Sequence, residues 1–266
     1  MKKGCDMFSL VGMTALVTGA TGHLGRAMTF ALAEAGANVL VNSRSQKRSV
    51  QLVDELAAMG LSAAPAAFDI TSEEAVGQYM SARAGTPLHI LVNNAYAGGA
   101  GSIESSEGSA YGSSYDVTLT AAHNLLRAAL PGLRKAVRQT GNASVINLAS
   151  MYALVSPDQR IYASAEGVNP PFYGAAKAAL LYWTRYAACE FGKEGIRVNA
   201  ISPGPFPADA VQVSAPNFIK MLSAKVPMGR IGLPDEIKSP VLFLAAPASS
   251  YVNGANIVVD GGWTCW

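Results

Sequence analysis

Thr14-Ala-Leu-Val-Thr-Gly-Ala-Thr-Gly-His-Leu-Gly25 joins a short apolar run to a glycine-rich turn, and the residues after the turn have the apolar spacing of a helix. Glycines at such a turn permit a tight bend and a close approach of the backbone to a ligand. The helix that follows presents free N–H groups and the positive end of its dipole, which suit a pyrophosphate. A glycine-rich turn alone is often only a turn. Because a strand precedes this one and a helix follows it, residues 18–25 are interpreted as a nucleotide site.

The alternation of strand and helix continues to the end of the chain. Short apolar runs predict strands at residues 15–17, 38–41, 88–92, 144–148, 197–201 and 256–259. Helical spacing of apolar residues predicts helices at residues 26–35, 47–59, 73–84, 121–138, 173–191 and 235–245. The pattern predicts an α/β fold with a doubly wound parallel sheet, in a single domain of residues 1–266. Right-handed crossovers then place the loops that follow the strands along one edge of the sheet, where such folds bind ligands.

Three segments interrupt this alternation. Residues 97–112 are rich in Gly and Ser, follow a strand and predict a flexible loop near the site. Residues 151–171 contain three prolines, which prevent long regular structure, and form an insertion between a strand and a helix. Residues 203–227 contain five prolines, and we interpret them as a lid over a ligand.

Composition excludes several classes of function. A net charge of +2 and a charged fraction of 14% leave no basic stripe, so nucleic acid is not an expected partner. No stretch of about 18 apolar residues lacks a charge, and the apolar residues near the N-terminus are interrupted, so we expect neither a membrane span nor a signal peptide. Cys5, Cys189 and Cys265 are odd in number and lack metal-ligand spacing. They favour free thiols in the cytoplasm and give no reason to expect a metal.

The end of the second strand, Asn42-Ser43-Arg44, indicates which nucleotide the site prefers. Many NAD-binding folds place an acid there against the ribose hydroxyls, whereas an Arg can pair with a 2′-phosphate. The sequence therefore favours NADP(H), with NAD(H) as the alternative, unless Arg44 is an ordinary solvated charge. Asp69, after the third strand, either accepts a hydrogen bond from an adenine amino group or caps a helix that begins near Thr71.

Two further motifs lie at predicted strand ends and on a predicted helix. The amides of Asn93-Asn94-Ala95, which closes the fourth strand, either tie adjacent strand ends together or line the cofactor cleft. Tyr173 and Lys177 are four residues apart on a helix, hence on one face, where an ammonium can hold a phenol near its anionic form. Such pairs also occur on solvated helix faces. Together with the nucleotide site, this pair predicts a proton-transfer device.

In these motifs the chain resembles the compact members of the short-chain dehydrogenase/reductase family over nearly its whole length. The motifs that carry the resemblance, in the order of the family, are the glycine-rich turn, Asn93-Asn94-Ala95, Ser150, the Tyr173–Lys177 pair, Asn199 with Pro203-Gly204, and Val259-Asp-Gly-Gly-Trp263. The resemblance implies a Rossmann-type fold, a nicotinamide cofactor and the reversible oxidation of a secondary alcohol to a ketone. It also implies a homotetramer.

The resemblance assigns a role to each catalytic residue. Tyr173 gives a proton to the carbonyl oxygen as hydride arrives, and Lys177, with the positive charge of the oxidised nicotinamide, lowers the pKa of that phenol. Ser150 hydrogen-bonds the substrate oxygen, although without the Tyr–Lys pair it would be interpreted as a cap. Thr118 stands where the family commonly has an Asn that holds a water near the Lys. A hydroxyl can also hold a water, but with fewer hydrogen-bonding groups.

Other positions depart from the family pattern. The spacing of Gly19, Gly22 and Gly25 is closer to that of the extended branch, but 266 residues favour the compact one. His23 either contacts phosphate or is a surface residue. Tyr96 replaces a Gly near the cofactor, and Phe206 lies where a Thr often anchors the nicotinamide. The residues expected to bind the cofactor are Gly19, Thr21, Gly22, His23, Leu24, Gly25, Ser43, Arg44, Asp69, Ile70, Asn93, Asn94, Ala95, Tyr173, Lys177, Pro203, Gly204 and Phe206.

The insertion at residues 151–171 bears on the substrate, a small-molecule alcohol or carbonyl compound. Its charges and hydroxyls predict a polar substrate. Its residue pattern resembles that of gluconate 5-dehydrogenase-like members and of members that act in bacterial surface-sugar modification. The alternative is that the insertion makes subunit contacts. Reduction of a 3-oxoacyl or other apolar ketone is the second hypothesis for the enzyme, because apolar residues of the predicted lid can line a pocket. A cofactor-binding protein with little catalysis is the third, because of Thr118, Tyr96 and Ala208.

Overall fold

The computed structural model describes residues 7–266, and seven strands lie within them. The strands are β1 (Thr14–Val17), β2 (Asn38–Ser43), β3 (Ala63–Ala67), β4 (Ile90–Asn93), β5 (Ala143–Leu148), β6 (Ile196–Pro203) and β7 (Asn256–Val259). They form one sheet in the order β3-β2-β1-β4-β5-β6-β7, and every neighbouring pair is parallel. This confirms the α/β fold with a doubly wound parallel sheet that the sequence predicts.

Helices connect the strands and cover both faces of the sheet. They are α1 (His23–Glu34), α2 (Gln46–Ala58), α3 (Glu73–Ala82), α4 (Gly108–Tyr115), α5 (Ala121–Thr140), α6 (Pro171–Phe191), α7 (Asp209–Ser214), α8 (Pro216–Lys225) and α9 (Lys238–Ala245). A π-helical turn, Asp116–Thr120, joins α4 to α5. The helices predicted from apolar spacing are present, with ends that differ by a few residues.

The apolar core forms two layers because side chains alternate across each strand. On β1, Ala15 and Val17 pack on one face of the sheet with α1, α2 and α9. Leu16 points to the other face, where α3, α5 and α6 contribute most of the helical side chains. Each large side chain buried in this way stabilises the fold by about 1.5–3 kcal/mol. The layers hold the carboxyl ends of the strands along one edge.

The third strand was implied by its position before Asp69, but its sequence carries almost no strand signal. It reads Ala-Ala-Pro-Ala-Ala and pairs with β2 at the edge of the sheet. An edge position tolerates Pro65, whose nitrogen has no hydrogen to donate. The buried Asn42 side chain stabilises this edge by donating hydrogen bonds to the carbonyl oxygens of Ala66 at 2.9 Å and Phe68 at 3.1 Å.

Two of the irregular segments contain more helix than the sequence indicates. Residues 97–112 were predicted to be a flexible loop, which is wrong for the part from Gly108, where α4 begins. Gly and Ser disfavour a helix locally, so packing against α6 supplies what propensity does not. Residues 203–227 contain α7 and α8 after the end of β6. Between Met151 and Pro170 there are only short 3₁₀ turns, as the prolines predict.

The cysteine and N-terminal predictions are only partly within the described residues. Cys189 and Cys265 are exposed free thiols, whereas Cys5 and the N-terminal lysines lie outside residues 7–266. Within that range, no helix combines the length and the apolarity that crossing a membrane requires.

Candidate active site

A cleft of about 770 Å³ opens at the carboxyl ends of the strands. The chain turns from β1 toward β2 and β3 on one side, and places the later strands on the other, so the cleft lies where the strand order reverses. Crevices at such a point are the usual ligand sites of this architecture. The predicted site residues that line the cleft are Gly19, Thr21, Gly22, His23, Leu24, Gly25, Ser43, Arg44, Asp69, Ile70, Asn94, Ala95, Ser150, Tyr173, Lys177, Pro203, Gly204 and Phe206.

The glycine-rich turn is held by contacts that only glycine permits. Gly19 has a φ of +60°, and a Cβ there would lie 2.9 Å from the Cα of Ala95. A Cβ on Gly25 would lie 2.2 Å from the carbonyl oxygen of Gly19. Gly22 precedes the first residue of α1, and no side chain that the structure describes caps this helix. The first N–H groups of α1 therefore face the cleft without a protein acceptor, as anion sites at helix N-termini require.

The two asparagines after β4 have different positions. Asn94 lines the cleft and donates from Nδ2 to the carbonyl oxygens of Thr18 at 2.9 Å and Gly19 at 3.2 Å. Asn93 lies behind the cleft lining, is buried, and donates from Nδ2 to Oδ1 of Asn147 at 2.8 Å. Of the two roles that the sequence leaves open, the contacts of Asn93 support the structural one. Asn94 ties the glycine-rich turn to β4 and also borders the cleft.

Two arginines border the cleft beyond the end of β2. Arg44 and Arg48 are exposed, line the cleft with Ser43 and Ser45, and form no ion pair with any residue that the structure describes. Exposed guanidinium groups of this kind can pair with a phosphate in a bidentate manner. Sequence reasoning missed Arg48 as a site residue. Its four-residue spacing from Arg44 at the start of a predicted helix is the signal that could have found it.

Asp69 lines the cleft and also organises the turn after β3. Its Oδ1 accepts hydrogen bonds from the backbone N of Thr71 at 2.9 Å and from Oγ1 of Thr71 at 2.8 Å. These bonds, chiefly the backbone one, hold the pKa of Asp69 below its usual value, and the charge of Arg44 adds to the effect. Of the two roles that the sequence leaves open for Asp69, the cap of α3 belongs to Ser72. The contacts of Asp69 are compatible with an adenine contact through its second oxygen.

Tyr173 and Lys177 lie on α6, one turn apart, next to Ser150 at the end of β5. Lys177 is 3% exposed, and its Nζ donates to the carbonyl oxygen of Leu148 at 2.6 Å. Oγ of Ser150 accepts a hydrogen bond from the backbone N of Tyr152 at 3.1 Å, so it also caps the turn that follows. The structure therefore brings the three predicted catalytic side chains together at one end of the cleft.

Burial determines the protonation of this pair. It lowers the pKa of Lys177 to about 8. It raises the pKa of Tyr173, while a hydrogen bond with Ser150 opposes the rise. The expectation that Lys177 and the positive charge of an oxidised nicotinamide together lower the pKa of the phenol stays a prediction. Nζ of Lys177 lies 5.8 Å from the ring centroid of Tyr173.

Tyr96 borders the catalytic residues although it was not among the predicted site residues. Its ring meets that of Tyr173 edge-on, with 4.8 Å between the centroids and 71° between the planes. Nζ of Lys177 lies 5.4 Å from the centroid of Tyr96. The substitution of Tyr for the usual Gly, seen in the sequence, was the signal for this position.

Thr118 lies in the π-helical turn between α4 and α5, outside the main cleft. It is 4% exposed, and its Oγ1 has no hydrogen-bond partner among the described residues. A separate cavity of about 10 Å³ is lined by both Thr118 and Lys177. This volume is at the lower limit for one water molecule. Thr118 is thus close to Lys177 but does not border the space where a large ligand fits.

The insertion and the proposed lid pack on each other beside Tyr173. The hydroxyls of Tyr152 and Tyr162 are 3.0 Å apart, and the ring of Tyr162 lies 5.4 Å from that of Phe218 on α8. Burial raises the pKa of both Tyr152 and Tyr162. The residues that complete this apolar cluster are Met151, Ile161, Leu222, Val226 and Trp263, with Tyr173 at its border.

A group of ion pairs is centred on Asp158 in the insertion. Asp158 pairs with Arg160, at 2.8 Å, and with Lys225 at the end of α8. These partners, Arg160 first, hold the pKa of Asp158 far below its usual value. The group connects the insertion to α8 and so brings two distant parts of the sequence together beside Tyr173.

The sequence leaves the roles of His23 and Phe206 open, and their contacts in the structure limit the choice. His23 is half-buried, and its Nε2 is buried without a partner among the described residues, so it is not a plain surface residue. Phe206 lines the cleft and packs on Gly232, where a Cβ would lie 2.5 Å from its ring. Cleft-lining residues that the sequence did not assign to the site are Asn42, Ser45, Arg48, Phe68, Thr71, Tyr96, Ala97, Ser113, Val117, Leu148 and Ala149.

Comparison with known proteins agrees with this geometry. The model of the family described as enoyl-(acyl carrier protein) reductase matches residues 19–264. The chain is 34% identical to the rhamnolipids biosynthesis 3-oxoacyl-[acyl-carrier-protein] reductase of Pseudomonas aeruginosa, covering 96% of this chain and 98% of that protein. It is 33% identical to the 2-dehydro-3-deoxy-D-gluconate 5-dehydrogenase of Dickeya dadantii, covering 97% of this chain and 98% of that protein.

A solved structure matches the chain over nearly its full length. It is the crystal structure of a gluconate 5-dehydrogenase from Burkholderia cenocepacia in complex with NADP and tartrate, with a TM-score of 0.86 and 29% sequence identity. The match covers 99% of this chain and 100% of that one. Together these similarities confirm the resemblance that the motifs of the sequence indicate.

Proposed function

Because the chain belongs to the short-chain dehydrogenase/reductase family, we propose that it is an NADP(H)-dependent oxidoreductase that interconverts a secondary alcohol and a ketone. The proposed substrate is small and polar, a sugar acid or a sugar derivative. One observation carries the proposal: the buried pair of Tyr173 and Lys177 lies beside Ser150 in the same cleft as the glycine-rich turn. The names of the relatives from Dickeya dadantii and Burkholderia cenocepacia support the substrate class.

The residues of the cleft fit NADP(H). The uncapped N-terminus of α1 suits the pyrophosphate, and Gly19 and Gly25 keep the backbone free of side chains there. Arg44 and Arg48 suit a 2′-phosphate. Asp69 borders the same end of the cleft. When bound, the cofactor supplies or accepts the hydride.

The catalytic residues supply the proton and orient the substrate. Oη of Tyr173 donates a proton to the carbonyl oxygen in reduction, and burial keeps this phenol protonated near neutral pH. Oγ of Ser150 donates a hydrogen bond to the same oxygen. In oxidation the phenol must lose its proton. Lys177, whose pKa of about 8 leaves it mostly charged at pH 7, then stabilises the phenolate.

The test is fluorescence titration of the purified protein with NADPH and NADH, followed by turnover of the preferred cofactor against a panel of ketones that includes keto-sugar acids. We expect preference for NADPH. Tyr173→Phe should lose turnover by about 10²- to 10⁴-fold and keep NADPH binding, because only the proton donor is removed. Tyr182→Phe, on the exposed side of α6, is the matched control and should keep both.

The same experiment distinguishes the alternatives. Tight NADPH binding without turnover of any carbonyl compound would favour a cofactor-binding protein, for which Thr118, Tyr96 and Ala208 are the reasons. Absence of binding to either nucleotide would overturn the nucleotide site itself.

A second candidate function is reduction of a 3-oxoacyl or other apolar ketone. The apolar cluster that borders Tyr173, with Phe218 and Leu222 from α8, favours it. The similarity to the Pseudomonas aeruginosa reductase supports it as well. Turnover of keto-sugar acids without turnover of 3-oxoacyl thioesters would exclude this candidate, and the reverse result would establish it.

The proposed enzyme is a cytoplasmic homotetramer. Exposed aromatic side chains on α6, Tyr182 at 70% and Tyr186 at 61%, support an assembly, because an interface would remove them from water. Tyr251 and Trp266 are also exposed. The exposed thiols of Cys189 and Cys265 suit a reducing compartment. Light scattering coupled to gel filtration tests the tetramer, since a monomeric mass would contradict it.

A further inference from the structure

Tyr96 places an aromatic ring against both members of the catalytic pair. It lies close to the end of β4, after Asn94 and Ala95. Its ring contacts Tyr173 edge-on at 4.8 Å, and Nζ of Lys177 lies 5.4 Å from its centroid. Nζ is also 5.8 Å from the centroid of Tyr173. Both distances are within the range of about 6 Å in which the electron-rich face of a ring attracts a cation.

Little else in the described residues compensates the charge of Lys177. Its Nζ donates to the carbonyl oxygen of Leu148, and no carboxylate lies within ion-pair distance of it in residues 7–266. The titratable groups that face it are Tyr173 on α6 and Tyr96 after β4. Thr118, across the small cavity, is neutral. The Lys177 ammonium is 3% exposed, so the stability of its charge depends on one carbonyl oxygen and two aromatic rings.

The ring of Tyr96, and not its hydroxyl, makes these contacts. The hydroxyl is buried, which raises the pKa of Tyr96, and the neighbouring side chain of Ser114 opposes this rise. Gly98 packs directly on it, since a Cβ on Gly98 would lie 2.0 Å from that oxygen. The backbone of residues 96–98 therefore clamps the ring in place.

We propose that Tyr96 is a positioning residue for the Tyr173–Lys177 pair and acts through its ring. The ring face keeps the ammonium of Lys177 charged despite its burial, and the ring edge fixes the orientation of the Tyr173 phenol. The proposal rests on the proposed function only for the role of that pair in proton transfer. It assigns the compensating group to a position where the family usually has a Gly.

The test measures the pKa of Lys177 directly, in the protein without cofactor or substrate. The ¹³Cε chemical shifts of the labelled lysines are followed between pH 6 and pH 11, and Lys177→Met identifies the signal. Tyr96→Phe keeps the ring, so the pKa should stay within about 0.3 of the parent value. Tyr96→Leu keeps an apolar side chain without the ring face, so the pKa should fall by about 0.5 to 1.

A second pair of variants covers the case in which Tyr96→Leu does not fold. Gly98→Ala forces the ring to move away from its clamp and should lower the pKa of Lys177 in the same direction. Adding Tyr96→Phe to Gly98→Ala removes the oxygen but leaves Cζ at 2.5 Å and Cε1 at 2.8 Å from the new Cβ, so the ring stays displaced and the pKa should remain below the parent value. Equal pKa values in the Phe and Leu variants, or a rise in Leu, would overturn the proposal. Because no turnover is measured, this result is independent of whether the proposed function is correct.

Discussion

The proposed cofactor half of the cleft and the proposed substrate half, which consists of the insertion and α8 packed beside Tyr173, are held together in different ways. In the cofactor half, the constraints lie in the backbone: Gly19 has a positive φ, and the Gly25 position has no room for a side chain. In the substrate half, side chains from distant segments make the contacts, as Tyr162 does with Phe218 and Asp158 with Lys225. A site built on backbone constraints needs particular residues at particular spacings. A site built on side-chain packing accepts many sequences, which lets the substrate change while the cofactor stays the same.

The largest effect is expected from Gly25→Ala, which places a side chain where the backbone leaves no room for one. The new Cβ would lie 2.2 Å from the carbonyl oxygen of Gly19, and a backbone atom cannot yield cheaply. We expect NADPH affinity to fall by about 10- to 100-fold and the melting temperature to fall as well. Fluorescence titration and thermal unfolding measure the two changes. Gly77→Ala on α3, where nothing lies within 4 Å of the new Cβ, should leave NADPH affinity unchanged. Equal NADPH affinities of the two variants would contradict the backbone constraint at Gly25.

Next in size is the effect of Arg44→Ala on cofactor choice. If the guanidinium pairs with a 2′-phosphate, NADPH affinity falls by about 10-fold or more, whereas NADH affinity stays the same. Arg48→Ala should act in the same direction but more weakly, because it lies one helical turn further along. Arg138→Ala, an exposed arginine near the end of α5, is the control. Equal losses of affinity for NADPH and NADH would show that Arg44 does not bind the 2′-phosphate.

A smaller effect is expected at Thr118, which lines the small cavity beside Lys177, outside the main cleft. Thr118→Val removes the hydroxyl from the cavity shared with Lys177 and should lower turnover by about 10-fold or less, without loss of stability, since that hydroxyl has no described partner. Thr118→Asn supplies more hydrogen-bonding groups and should raise turnover above the parent value. Steady-state rates and melting temperatures are compared for the two. Unchanged rates in the Val variant would remove Thr118 from the proton path.

The smallest effect is expected from Asp158→Asn in the substrate half. Because Arg160 and Lys225 hold the folded-state pKa of Asp158 below its unfolded value, the carboxylate stabilises the fold above a pH of about 4 and loses this contribution as the pH falls. The variant should melt slightly below the parent at pH 7, and the difference should shrink toward pH 3. High salt should also reduce it, since the guanidinium of Arg160 is exposed. A difference that grows on acidification would contradict this sign.

The residues that the sequence identified and those that it missed differ in a physical way. The glycine-rich turn, Arg44 and the Tyr173–Lys177 pair each carry their signal within a few residues, through spacing and residue type. The sequence carries a signal for Arg48 and for Tyr96, but neither is among the predicted site residues. Their roles depend on which strand end or helix turn lies beside them. Strand β3, made of Ala and Pro, and helix α4, rich in Gly and Ser, have weak local propensity. Their neighbours in the fold stabilise them.

The sequence by itself determined the parallel α/β fold, the family and the order of the cofactor motifs, because strand periodicity and glycine requirements are local properties of the chain. Only the tertiary structure decided how the catalytic residues are charged and what borders them. The pKa of Lys177, the ring of Tyr96 against it and the contact between the insertion and α8 all depend on groups that are far apart in the chain. Burial and distance, which set the free energy of a charge, exist only once those segments have packed together.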